Sequence, residues 1–254
     1  MKQWALILGA SSGIGAACAK KLAESGINIY GIYLRKPQSV IDELTDYIKA
    51  QGVDVHFHKM NAMNEDKRSE AINNIQELGT VKCFIHSIAF GTLKPMLSKN
   101  SEATLDSKNI EMTINVMGSS LVYWVQSLHQ SKLLVKGSQI FSMTSSGGRR
   151  QWPSYGAVSM AKAALESASR QLAIELADDG IAVNAIQAGV TDTPALRKIP
   201  GNEEMIKYAI EHNPSGRLTL PEDIANYVTL IAQSNSSWMT GNVIRVDGGE
   251  DIIG

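Results

Sequence analysis

An apolar run at residues 4–8 leads into Gly9-Ala-Ser-Ser-Gly13-Ile-Gly15 and then into a helical spacing carried by Cys18, Leu22 and Ala23. The order reads as strand, glycine turn and helix start. Such a turn brings backbone amides and the positive end of a helix dipole to one point, where a dinucleotide pyrophosphate can approach the main chain. A side chain at Gly13 or Gly15 would obstruct that approach. The spacing is GxxxGxG rather than the commoner GxGxxG, and a glycine turn alone is also an ordinary tight turn. The flanking strand and helix make it a nucleotide-site candidate.

The same alternation continues down the chain. Strand-like runs at residues 27–34, 53–59, 81–87, 138–144, 181–186 and 242–246 are separated by helical patterns at about 37–51, 65–78, 103–134, after 155, and from 221. Strands alternating with helices predict one α/β domain, a Rossmann-like doubly wound, mainly parallel sheet with helices on both faces. Ligands of such sheets collect beyond the carboxyl ends of the strands. Arg35 and Lys36 follow the second strand, where a site preferring NAD usually carries an acid, so NADPH is expected over NADH. Asn61 follows the third strand, residues 86–91 the fourth and Ser145 the fifth. Asn115 interrupts an apolar stripe of Ile110, Ile114, Met117, Leu121, Trp124, Val125 and Leu128, which predicts a kinked helix or a satisfied buried amide. Residues 194–217 form a helix-rich insertion placed as a substrate lid would be.

Ser145 to Lys162 is the densest candidate for chemistry. Tyr155 and Lys162 are seven residues apart and share one helix face about 10.5 Å apart, and Ser145 can join them across the intervening loop. A phenol, an ammonium and a hydroxyl would then face one cleft. Arg149 and Arg150 lie within the loop and read as solvated charges or as a meeting point for an acidic carrier or a phosphate.

The net charge of -1, with both signs mixed throughout, gives no reason to expect a nucleic-acid or membrane partner. Cys18 and Cys83 stand alone, no secretory leader precedes the first strand, and the apolar runs are short, so a reduced, cytoplasmic, soluble protein is expected. His56 and His58 alternate on one strand without a third ligand, so no metal site is expected.

Taken together, GASSGIG, Asn61, TINVMG, Ser145, VNAIQAG followed by TDT, and the closing VDGG resemble the short-chain dehydrogenase/reductase family over essentially the whole chain. The chain departs from the usual Tyr-x-x-x-Lys, which would need Tyr at position 158, where Val158 stands; Tyr155 and Lys162 give a wider spacing. That spacing resembles the bacterial enoyl-[acyl-carrier-protein] reductases. HSIAFG at residues 86–91 resembles the FabI type, and residues 190–217 resemble the NADPH-preferring FabL type.

The resemblance implies Gly9, Ser11, Ser12, Gly13, Ile14 and Gly15 at the pyrophosphate, Arg35 and Lys36 at the 2′-phosphate, and Asn61 and Ala62 at the adenine. It implies Ser87, Ile88 and Ala89 at the adenosine ribose side, Thr191 and Thr193 at the nicotinamide end, and Asn115, Gly189 and Val190 also on the cofactor. Tyr155, Lys162 and Ser145 would be catalytic, with Lys162 also on the ribose, and the enzyme a homotetramer or dimer. The wider spacing has a chemical reason. In an enoyl thioester hydride adds at the β-carbon while charge develops on the thioester oxygen three bonds away, and a tyrosine three positions earlier lies about 4.5 Å farther along the helix axis. Reduction of a carbonyl or an enoyl-CoA, and a silent nucleotide-binding scaffold on the same fold, stand as alternatives.

Overall fold

The computed structural model describes residues 2–253. Seven strands form one parallel sheet: β1 (Lys2–Leu8), β2 (Asn28–Tyr33), β3 (Val55–Lys59), β4 (Gly79–His86), β5 (Leu134–Ser145), β6 (Ala182–Ala188) and β7 (Val243–Val246). The spatial order is β3-β2-β1-β4-β5-β6-β7, so the winding reverses between β1 and β4. A crevice opens at such a reversal, beyond the strand carboxyl ends.

The helices are α1 (Gly13–Glu24), α2 (Gln38–Lys49), α3 (Glu65–Leu78), α4 (Ser107–Ile114), α5 (Ser120–Gln130), α6 (Gly156–Glu175), α7 (Asn202–His212) and α8 (Pro221–Gln233). They cover both faces of the sheet. On one face Leu6 and Phe84 pack with Ile72 and Ile75 of α3, Leu121 and Trp124 of α5, and Leu165 of α6. On the other, Ala5 and Ile7 pack with Cys18 and Leu22 of α1, Leu44 of α2 and Ile224 of α8. Successive strand residues point to opposite faces, and with both faces covered each must be apolar. That is why β1 reads as an unbroken apolar run.

The expected helix over 103–134 is interrupted. It consists of a 3-10 turn (Ser101–Ala103), α4, a π-helical turn (Asn115–Ser119) and α5, and Leu134 already belongs to β5. Asp106 caps α4, its carboxylate accepting from the Asn109 amide at 2.7 Å. Lys132, at φ 55°, turns the chain out of α5, and Leu134 pairs with Val81. The π turn keeps the apolar spacing on one side while seating Gly118 against α6, where an added Cβ would lie 3.1 Å from the Ala161 carbonyl oxygen. Of the two expectations for Asn115, the break in the helix is what is found and the buried amide is not. Asn115 is exposed, and its Oδ1 accepts from the Tyr123 phenol at 2.9 Å.

Residues 194–217 contain a 3-10 turn (Leu196–Lys198) and α7. Trp152 ties this segment to the loop before α6, its Nε1 donating to the Pro200 carbonyl at 3.1 Å. Among the described residues no helix is long and apolar enough to cross a membrane.

Candidate active site

The glycine turn is built almost wholly from main chain. Gly9 has φ +82°, and a Cβ there would sit 2.2 Å from the Ser87 carbonyl oxygen at the end of β4. A Cβ on Gly15 would sit 2.3 Å from the Gly9 oxygen. Gly13, at φ +53°, meets Thr193, whose Cγ2 would lie 3.2 Å from an added Cβ. Three distant stretches, residues 9–15, 87–88 and 193, are thus brought to one point. Ser12 precedes α1 without a side-chain capping bond, and the first turn holds no acid, so the amides there face outward uncompensated. Ser11, Ser12 and Ile14 are partly exposed around them.

At the neighbouring strand ends, Arg35 lies over the Phe90 ring at 4.2 Å, which joins the end of β2 to the segment after β4. Lys36 is half-buried beside it. Asn61 is exposed, its Oδ1 accepting from the Met63 amide at 3.0 Å, and the Ala62 carbonyl accepts from Trp124 Nε1 at 3.0 Å. Ile88 packs on the core and Ala89 is exposed.

The second cluster lies at the ends of β5 and β6. Tyr155 stands one residue before α6, at its N-cap, rather than within the helix as expected. Among the described residues the buried Ser145 hydroxyl has no partner in hydrogen-bond geometry. Gly147 lies between them: a Cβ there would be 2.5 Å from Tyr155 Cε1 and 3.2 Å from Ser145 Oγ. Burial raises the Tyr155 phenol above its ordinary pKa, against the lowering influence of the Ser145 hydroxyl, so it is protonated at neutral pH.

Lys162 is buried, and its Nζ donates to the Met143 carbonyl of β5 at 2.6 Å. Burial pushes its ammonium down to about 8, with the Glu166 carboxylate one turn on opposing the shift. Glu166 is held by Thr144, whose Oγ1 donates to its Oε1 at 2.7 Å. Beneath them His86 is fully buried, pushed down to about 3 by burial and by the Lys162 ammonium, and so neutral. The Ser120 hydroxyl donates to the Val116 carbonyl, which assigns the proton of the 2.7 Å His86–Ser120 bond to Nε2.

A family model described as enoyl-(acyl carrier protein) reductase matches residues 9–250. The chain belongs to the short-chain dehydrogenase/reductase family. It is 28% identical over 236 residues to the enoyl-[acyl-carrier-protein] reductase [NADH] FabI of Enterococcus faecalis, covering 93% of this chain and 91% of that one. It is equally 28% identical over 248 residues to the 3-oxoacyl-[acyl-carrier-protein] reductase FabG of Chlamydia trachomatis, covering 96% of each. Among solved structures, FabI from Candidatus Liberibacter asiaticus superposes with a TM-score of 0.86 at 26% identity, covering 99% of this chain and 96% of that one.

As a member of that family the chain is an oxidoreductase, and the family implies a nicotinamide nucleotide. The chain fits one: the uncapped, acid-free start of α1 and the tight backbone approaches at Gly9 and Gly15 suit a pyrophosphate at the helix N-terminus. The tail after β6 also reaches this region. Val190 donates its amide to Glu250 Oε2 at 2.9 Å, Thr191 bridges to Thr219, and Gly189 packs so closely on Thr219 that a Cβ would lie 2.4 Å from its Oγ1.

Arg149 and Arg150 are half-exposed loop charges, as expected, and they are also paired. Both pair with Asp251, about a hundred residues later. Glu250, Asp251, Gly147, His86 and the Arg35–Phe90 stack were not assigned such roles by sequence reasoning. Phe90 and His86 were visible in a strand-end segment, and Glu166 had an i,i+4 relation to Lys162. The two tail acids gave no local signal at all. His58, considered for a metal, meets the Tyr30 phenol at 3.3 Å.

Proposed function

We propose that this short-chain reductase reduces the carbon–carbon double bond of a trans-2-enoyl thioester with NADPH, the thioester being borne by an acyl carrier protein. The dinucleotide supplies the hydride. The observation that carries the reading is the place of Tyr155: one turn ahead of Val158, which occupies the position of the usual family tyrosine and is buried with Met117 and Ala161, with Leu93 and Ile114 packed against them. An apolar side chain there offers no proton beside the nicotinamide end, whereas a phenol farther out meets the thioester oxygen.

Tyr155 donates its hydrogen bond to that oxygen as negative charge develops, and its raised pKa keeps the proton available. Lys162, held by the Met143 carbonyl, adds a positive charge in a water-poor place, where it acts most strongly. Met117, Val158 and Ala161 form the apolar wall that keeps water from the enolate. Arg35, stacked on Phe90, faces the 2′-phosphate, the basis for NADPH over NADH.

A second reading, carbonyl reduction, draws on the buried, unpartnered Ser145 hydroxyl beside the Tyr155 ring. NADPH consumption with a trans-2-enoyl thioester, a matched 3-ketoacyl thioester and the Tyr155→Phe variant separates the two. Turnover of the enoyl substrate alone, falling about 10²- to 10⁴-fold in the variant, is the expected result. Preference for the ketoacyl substrate would replace this reading with the second.

A further inference from the structure

We propose that Asp251 is a positioning residue for the reaction, holding the loop at residues 146–150 against Tyr155 and Ser145. The proposal rests on the reading that the Tyr155–Lys162 cleft is where reduction occurs.

The turn at residues 247–251 follows β7 and is built to aim its acids. Buried Asp247 accepts from the Gly249 amide at 3.0 Å and the Asp251 amide at 3.3 Å, while its own carbonyl accepts from Asn213 Nδ2 at 2.8 Å. Asp251 then points inward, its side chain 3% exposed, into a cluster of three arginines. Its Oδ2 meets Arg149 Nη2, Gln187 Nε2 at 3.0 Å and Arg245 Nε at 3.3 Å; its Oδ1 lies 2.9 Å from Arg150 Nε as an ion pair without hydrogen-bond geometry, while Arg150 Nη2 donates to the Asp251 carbonyl at 3.3 Å. Arg149 Nη2 also donates to Gln187 Oε1 at 2.9 Å.

Gln187 and Arg245 are register partners in β6 and β7, so one side of the cluster is fixed to the sheet. The other side is the loop. Its backbone supplies Gly147, against the Tyr155 ring and Ser145 hydroxyl, and Gly148, where a Cβ would lie 3.0 Å from Glu166 Oε1 and 3.6 Å from Lys162 Cβ. This carboxylate, with the Arg149–Gln187 bond beside it, therefore ties the backbone next to all three candidate catalytic side chains to the rigid sheet. Within the cluster it faces three guanidiniums, each with a side chain 42–48% exposed. Without the carboxylate the three half-exposed cations repel one another, weakened by solvent, and of the backbones that carry them the loop is the one outside the sheet.

The test compares Asp251→Ala, Asp251→Asn and Asp251→Glu with Asp223→Asn, which breaks the Arg217–Asp223 pair elsewhere. Crotonyl thioester turnover, the KM for NADPH, and hydrogen exchange of the amides at 146–150 are read on the intact protein. Asp251→Ala is expected to lower kcat about 10- to 100-fold, the cost of an ångström-scale misplacement, with the KM for NADPH little changed and exchange at 146–150 faster. Asp251→Glu regains part of the rate, and adding Arg149→Gln and Arg150→Gln to Asp251→Ala regains part by removing the repulsion. Unaltered exchange at 146–150 in Asp251→Ala would overturn the proposal, as would an unaltered kcat. If the wild-type protein turns over no thioester, the functional reading fails, while the exchange result still decides whether Asp251 holds the loop.

Discussion

Two regions of the cleft use glycine for opposite purposes. At the β1–α1 turn, Gly9 and Gly15 face carbonyl oxygens of the main chain, at 2.2 and 2.3 Å from an added Cβ. Neither neighbour can yield without moving a strand. At the end of β5, Gly147 faces an aromatic ring at 2.5 Å, and a ring on a single side chain can swing away. The first region is therefore a rigid shape set by backbone, and the second an adjustable one set by side chains and ions. A nucleotide phosphate needs the former, because its ligands are amides. A proton donor needs the latter, because its position must match a particular substrate oxygen.

The sharpest way to break this contrast is Gly9→Ala. With φ +82° and a backbone oxygen in the way, it is expected to cost about 1–3 kcal/mol and to weaken nucleotide binding together with thermal stability. Intact binding measured by fluorescence titration would show that the turn can adapt. Gly147→Ala should do the reverse: Tm and nucleotide affinity hold while kcat drops about 10- to 100-fold as the phenol is displaced.

The pH response sharpens the comparison, because only the second region contains a shifted lysine. As pH rises through about 8, Lys162 loses its proton in the folded protein and the reductase rate is expected to fall. Stability moves the other way. The unfolded chain keeps that proton up to its higher, ordinary lysine pKa, so between the two values it binds more protons and this group's contribution to stability rises with pH. A rate that declines above pH 8 while Tm, corrected for other groups, does not is the signature sought in paired pH profiles.

The smallest effects belong to the rim. Arg35→Ala should reduce the proposed NADPH over NADH preference about tenfold, the worth of one charge-assisted contact. Phe90→Leu, which removes only the stacking that orients Arg35, should reduce it about two- to fivefold. Equal kcat/KM ratios for both nucleotides in wild type and variants would remove Arg35 from the specificity account.

Much of this arrangement is legible in the order of residues. The period of the apolar positions locates the sheet strands within a few residues, and the glycines at 9, 13 and 15 stand where the turn is found. Tyr155 and Ser145 both lie against Gly147, and Lys162 lies one residue on beside Gly148, because a strand end and a helix start are separated by a short loop. The failures share a cause. Residues 103–134 keep a helical spacing throughout, but the chain breaks at the π turn where Gly118 must seat on α6, and Leu134 leaves the helix because Val81 offers it a strand partner. Asn115, which marked either a break in this helix or a buried amide, stands at the break and is exposed.

The amino-acid sequence alone determined the parallel alternating sheet, the glycine turn at its switch point and the spacing of phenol and ammonium, because all three follow from short-range periodicity and local backbone freedom. The tertiary structure alone decided which charges meet: Arg35 with Phe90, Glu250 with the Val190 amide, and Asp251 with three arginines from two other segments. Charge and ring contacts between distant segments depend on where the sheet carries each strand end, and no repeating pattern along the chain encodes that placement.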